Sequence, residues 1–178
     1  MKLFEINRPV LTSPKELSLR VVDAQSACNL NAEWHSRFPV IHWSNVVRNK
    51  HYICYTAEKN GLPYAVAIWS SPVARKLCDE KTLELRRLAI APEAPKNTAT
   101  RIISLMVKDI KNRYEEIETL ISYQDTEAHF GTIYKAANWI ATNVSQAGLS
   151  WANSRERNSD QSKAAKVRWE YKIKSPTR

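Results

Sequence analysis

Asp125 and His129 stand four residues apart, a spacing that brings both side chains to one face if a helix opens at 125 or 126. Such a pair can hold a metal ion or pass a proton, and His35 and His42, which flank an aromatic loop, could add ligands. The plainer reading is a helix cap at Asp125 followed by a half-buried histidine, with no third ligand at a diagnostic spacing. Arg86 and Arg87 are adjacent on a strand-like run, so alternation sends them to opposite faces. Glu84 then shares a face with Arg86 and is its natural partner. Arg87 shares one with Leu83, Leu85 and Ala89, where a cation needs an anion, and is a candidate contact for a phosphate or an anionic donor. Tyr52, Tyr55, Trp34 and Trp43 offer aromatic surface on which a base taken out of a duplex could stack, although most aromatics in a hairpin are core.

The elements that must hold these groups can be read in chain order. Residues 1–14 read as a loose arm or edge segment, and LSLRVV (17–22) as a short strand. Asp23 is placed to cap a helix running to about Trp34, and a turn-rich stretch follows around Pro39. Two aromatic and β-branched runs flank Asn60-Gly61, which predicts a hairpin. TLELRRLAIAP (82–92) predicts a central strand. Pro95 with Asn97 or Thr98 marks a helix start, with Ile102, Ile103, Met106, Ile110 and Tyr114 at helical spacing. IETLISYQD (117–125) predicts a strand, 126–139 a helix, WIATNV (139–144) a strand, and VRWEYKI (167–173) a last strand after a polar, basic mobile loop over 145–166. The order predicts one α/β domain over 1–178, its mixed, mostly antiparallel central sheet covered by helices on both faces.

Composition narrows the chemistry. The three glycines, Gly61, Gly131 and Gly148, are far apart, which excludes a Walker phosphate loop and a GxGxxG fingerprint. Cys28, Cys54 and Cys78 form no CxxC pair, so neither a disulfide framework nor a zinc knuckle is supported, and a reducing cytoplasm is the simplest setting. MKLFEINRPV lacks the apolar core of a signal peptide, and no run reaches the ~18 apolar residues of a membrane helix. Twenty-seven Lys and Arg against 18 Asp and Glu give a net charge of +9, which favours a polyanionic partner, nucleic acid first. More than half of that excess lies in 145–178, where SRERNSDQSKAAKVRW sets cations beside tryptophans, as phosphate contact would require.

Two resemblances emerge along 82–139. LELRRLAIAP, EAPKNTATRIISLMVKDI, LISYQD and GTIYKAANW, in this order, look like the core of the GNAT acyltransferase fold. With NAEWHSRFPV upstream, LELRRLAIAPEAPKNTATR, SYQD and GTIYKAANW resemble the phage Mom family over roughly 28–144. Members of that family convert DNA adenine at N6 to a carbamoylmethyl (acetamido-type) adenine and so protect phage DNA from host restriction.

That resemblance implies a transferase in the host cell cytoplasm with double-stranded DNA as partner and acetyl-CoA or another small acyl or aminoacyl donor. It implies that Arg87 and the loop 95–101, through Asn97, Thr98, Thr100 and Arg101, hold the donor. It also implies that Asp125 works as base or orienter and Tyr134 as the acid that protonates a leaving thiolate, with Tyr52, His35 and Ser122 near the base. The run APKNTATR stands where GNAT enzymes usually carry R/Q-x-x-G-x-G/A. Two rivals stay open: a conventional N-acetyltransferase acting on a small amine or protein, and a non-catalytic DNA-binding protein.

Overall fold

The computed structural model describes residues 8–37, 40–77, 79–128, 130–145 and 164–173. Seven strands form one sheet: β1 (Ser18–Val22), β2 (Tyr52–Lys59), β3 (Leu62–Ser70), β4 (Thr82–Ile90), β5 (Thr119–Asp125), β6 (Ile140–Ser145) and β7 (Lys166–Lys172). Their spatial order is β1-β2-β3-β4-β5-β7-β6. Among the described residues only β4 and β5 run parallel, and the 16-residue helix α3 (Thr98–Arg113) makes the crossover between them. Helices α1 (Ala24–Trp34), α2 (Trp43–Val47) and α4 (Thr132–Ala136) complete the architecture. The sheet is therefore mixed and mostly antiparallel, with helices on both faces, as the sequence predicts.

The two faces have separate cores. On the α3 side, Ile102, Ile103, Met106 and Ile110 pack against Tyr55, Trp69, Leu83, Leu85 and Leu120. On the α1 side, Ala24, Ala27 and Cys28 meet Cys54, Val66, Ile68 and Ala89. Cys28 and Cys54 are buried free thiols. The β2–β3 hairpin turns at Asn60 and Gly61, both at positive φ (52° and 77°), the conformation a two-residue type I′ turn demands. Asp23 caps α1 by accepting from the Ser26 amide at 2.8 Å.

Three local readings change. Residues 8–14 are pinned rather than loose. Leu11 is buried, Arg8 donates to the Pro63 carbonyl at 2.9 Å with its guanidinium 5.0 Å above the Trp34 ring, and Tyr64 donates to the Pro9 carbonyl at 2.7 Å. The turn-rich stretch before β2 contains α2, whose cap is His42: its Nδ1 accepts from the Ser44 amide. The helix expected over 126–139 shrinks to α4, because Gly131 and Asn138 take positive φ (69° and 63°) and fix its two ends. The loop expected to be mobile and basic lies mostly outside the described residues, as does His129.

Candidate active site

The parallel pairing of β4 with β5 runs from Thr82↔Thr119 to Leu85↔Ser122 and stops. Beyond it, residues 87–90 of β4 pair only with β3, and 123–125 of β5 only with β7. A gap thus opens in the middle of the sheet. Its cause on the β4 side is a bulge: Trp69 pairs with Leu85 while Ile68 pairs with Arg87, which leaves Arg86 as the extra residue.

The bulge also corrects the expected facing of the arginine pair. Strict alternation puts Arg87 with Leu83, Leu85 and Ala89. The inserted residue shifts the register, so Arg87 pairs with Ile68 of the α1-side core and shares that face with Ala89 and, across the bulge, Glu84. Arg87 is half-buried and donates to the Arg86 carbonyl at 2.7 Å. Burial, followed by the charge of Arg86, lowers its pKa, against which Glu84 acts. His35 ends α1 beside it; burial and then the Arg87 charge lower the imidazole pKa, favouring the neutral ring.

At the apex of the gap, one hydrogen-bonded chain joins both strands to α4. Ser122 Oγ lies 3.2 Å from the Leu85 carbonyl and 2.9 Å from Tyr134 Oη. A carbonyl can only accept, so the single serine proton goes to Leu85 and the Tyr134 hydroxyl donates to Ser122. Tyr134 is buried, stacked on Trp169 with ring centroids 5.6 Å apart and 5.7 Å from Trp139. Burial raises its pKa, so the phenol holds its proton.

The ring is carried into place by Gly131. A Cβ there would lie 2.3 Å from Gln124 Oε1 and 2.7 Å from Trp169 Cζ2, and Gln124 Oε1 in turn accepts from the Trp169 indole at 2.8 Å. Trp169, Trp139 and Gln124 carry no catalytic signal in the sequence. Gly131, one of three glycines and three residues before Tyr134, is the one legible trace of this support.

Asp125 ends β5 on the other face, since Ser122 and Gln124 point to the α3 side. It starts a turn rather than a helix: its Oδ1 accepts from the Glu127 amide at 3.0 Å, and Oδ2 lies 3.9 Å from the Arg37 guanidinium. Asp125 and Tyr134 therefore approach the gap from opposite sides of the sheet.

The start of α3 lies at the end of the loop that follows β4. Asn97, its N-cap, has φ 68° and ψ 12° and makes no side-chain cap bond. The run APKNTATR holds no glycine, and the residue in the left-handed region where the chain enters α3 is Asn97. Asparagine is the residue after glycine that best tolerates this left-handed backbone. The first-turn amides of Ala99 and Thr100 keep their donor capacity, and the helix dipole adds positive potential, so the loop fits an anion such as a pyrophosphate. Thr98 is buried with its hydroxyl turned to the Pro95 carbonyl at 2.7 Å, while Arg101 is exposed.

The aromatic residues separate from this site. Tyr52 begins β2 opposite Ser70, which in turn pairs with Glu84 near the start of β4. With Trp43, Val21 and Val47 it lines a groove of about 740 Å³ at the end of the sheet away from the gap mouth. Tyr55 is a core strut that donates to Asp109 at 2.8 Å, and Trp34 belongs to the Arg8 clamp. Among the described residues, no three His, Cys, Asp or Glu side chains cluster as metal ligands would.

Comparisons with known proteins agree with this geometry. The model of the Mom protein family matches residues 41–176. The ribosomal-protein-S18-alanine N-acetyltransferase of Escherichia coli superposes with a TM-score of 0.63 at 13% identity, over 90% of this chain and 96% of that one. An aminoglycoside acetyltransferase in complex with coenzyme A gives 0.61 at 13% identity, over 88% and 94%. A GNAT family acetyltransferase from Elizabethkingia anophelis with acetyl-CoA bound gives 0.59 at 11%, over 89% and 99%. No curated protein sequence matches the chain significantly. A family model that spans most of the chain, on a sheet that parts between β4 and β5, makes it a member of the Mom protein family with the fold of GNAT acetyltransferases.

Proposed function

We propose that this chain is a transferase that attaches a small group to N6 of adenine in double-stranded DNA, the carbamoylmethyl modification of its family, drawn from an activated donor whose phosphates a coenzyme A-type site would hold. The observation that carries the reading is the gap beyond Leu85 and Ser122, with the Tyr134 hydroxyl bonded into its apex. The donor's phosphates would lie at the start of α3, against the amides of Ala99 and Thr100, with Arg101 beside them. This fit is supported by Asn97 in the left-handed region.

Amine acylation by a thioester needs two proton transfers, and the walls of the gap offer a group for each. As the N–C bond forms and the C–S bond breaks, the thiolate takes the Tyr134 proton, and the nitrogen gives up its own to a carboxylate, for which Asp125 is the candidate. The thioester reaction gives the N6-acetyl product. The carbamoylmethyl product instead joins N6 to the methylene of a CH2–CONH2 group, so its donor would carry the leaving group on that methylene. The bond from methylene to leaving group breaks as the N–C bond forms, with the same two proton transfers. Net positive charge supports a DNA substrate, and extrusion of the base would bring N6 to the gap.

The test is expression in bacteria, digestion of their DNA to nucleosides and mass spectrometry, which separates N6-acetyl from N6-carbamoylmethyl adenosine. Wild type is expected to yield a modified adenosine. Tyr134→Phe and Asp125→Asn are each expected to lower the yield by about 10²-fold or more. Four unaltered nucleosides from wild-type cells would remove the proposal.

A further inference from the structure

Beyond Leu85 and Ser122, β4 and β5 no longer pair. On one side of the opening, α1 packs against β2, β3 and β4. Three residues past the end of α1, Arg37 places its guanidinium 3.9 Å from Asp125 Oδ2 and 3.8 Å from Glu127 Oε2, on the other side. Among the described residues, these are the ion pairs that cross the open part of the gap. The turn that carries Arg37 is fixed by His35, whose Nδ1 accepts from the Arg37 amide at 3.3 Å. A ring accepts there only without a proton on Nδ1, and burial, then the Arg87 charge, favours the neutral imidazole.

The two ends of this bridge differ. The Arg37 and Glu127 side chains are 39% and 67% exposed, and a pair so hydrated contributes little. The Asp125 side chain is 8% exposed, and a carboxylate so enclosed holds its charge only with compensation. Besides Arg37, the charged groups around it are Glu127, whose amide Oδ1 accepts, and Lys166, opposite it across β5 and β7. Across the gap on β4 stands Arg87, with Glu84 acting on it. Arg37 and Lys166 thus balance Asp125 and Glu127. Without Arg37, one cation serves two carboxylates.

We infer that Arg37 is a positioning residue for the proposed proton transfer: reaching across the gap from the His35 turn, it keeps the Asp125 carboxylate ionised and in place to take the adenine N6 proton. As N6 bonds to carbon, its N–H bond breaks and the proton passes to Asp125, which must be unprotonated at that moment. Arg37 touches neither reacting atom in this scheme and acts through the carboxylate. A guanidinium suits the task because it keeps its charge at any working pH. At 3.9 Å the pair is a charge contact rather than a hydrogen bond, so Arg37 itself claims no lone pair of Oδ2.

This role rests on Asp125 being the base of the proposed reaction, and the experiment separates the two claims. The rate of modified adenosine formation on added duplex is followed against pH in extracts of the expressing bacteria, which supply the donor. Binding of a fluorescent duplex to each purified variant is measured by anisotropy. Arg37→Gln is expected to lower the rate severalfold at pH 7 and to move the acid limb of the profile up by about 1 unit, with duplex affinity unchanged. Arg37→Lys is expected to restore most of the rate. Adding Arg37→Gln to Asp125→Asn is expected to cost nothing further, because the two changes remove one interaction. A further loss in the double variant would overturn the inference. So would a lowered rate with the acid limb in place, which is what partial misfolding gives, or a weaker duplex affinity, which would make Arg37 a phosphate contact. Asp125→Asn at the wild-type rate would take the base away and the inference with it. A wild type that leaves the duplex unmodified would remove the proposed function itself.

Discussion

On the α3 side of the gap, Tyr134 is enclosed by Trp169, Trp139 and the Ser122 hydroxyl, with no charged group among these contacts. On the α1 side, Glu84, Arg86, Arg87, Asp125, Arg37 and Lys166 crowd the same strands. The same sheet therefore presents a dry wall and an ionic one, and their supports differ accordingly. The dry wall is held by packing and two neutral hydrogen-bond links, so its phenol keeps its proton. The ionic wall holds partly buried charges of both signs against one another. An acid that must wait for a leaving group belongs on the first wall.

Trp169 is the residue whose loss should break this contrast most severely. It is 4% exposed, stacks on Tyr134 and donates to Gln124. Trp169→Ala is expected to cost about 3–5 kcal/mol in denaturant unfolding. It should also free the Tyr134 ring, so that residual folded protein shows lowered near-ultraviolet dichroism and loses modification activity. A loss below about 1 kcal/mol would mean that the dry wall does not depend on this stack.

The contrast between the walls was only half legible in the sequence. Hydrophobic periodicity located every strand and α3, and Asn60-Gly61 marked the hairpin, because those signals are local. The bulge at Arg86 is not local. It follows from how β3 and β4 pack, and without it Arg87 reads as an intruder on an apolar face. The apex chain from Tyr134 through Ser122 to Leu85 joins three segments that no spacing rule connects. Asn97 was hard to read for another reason: the familiar pattern looks for glycine, while the backbone asks only for a residue that accepts positive φ.

Asn97 supplies a test of intermediate size at the end of the gap where donor phosphates would lie. Asn97→Gly keeps the left-handed backbone and is expected to preserve coenzyme A binding by calorimetry, with little change in stability. Asn97→Ala is expected to cost about 1 kcal/mol in stability and to weaken coenzyme A binding, because alanine pays the steric cost of that conformation. Equal coenzyme A affinities in the two variants would detach the helix start from the donor.

The smallest effect sharpens the ionic wall. Burial raises the Glu84 pKa above its ordinary 4.5, even though Val73, Arg86, Arg87 and Lys166 all pull it down. Burial raises the pKa of the neighbouring Tyr123, and the Glu84 charge raises it further. A carboxyl that holds its proton more tightly when folded makes the folded state lose stability as pH rises from the unfolded pKa through the folded one. Above that window the cost is complete; below about 4.5 it vanishes. Glu84→Gln, which removes the charge but keeps the shape, is therefore expected to melt at least as high as wild type at pH 7. The difference should close as pH falls toward 4, read by calorimetry at both values. A variant that melts lower at pH 7 and equals wild type at pH 4 would show that the three cations need their carboxylate more than burial opposes it. The ionic wall would then be a closed network that depends on that carboxylate.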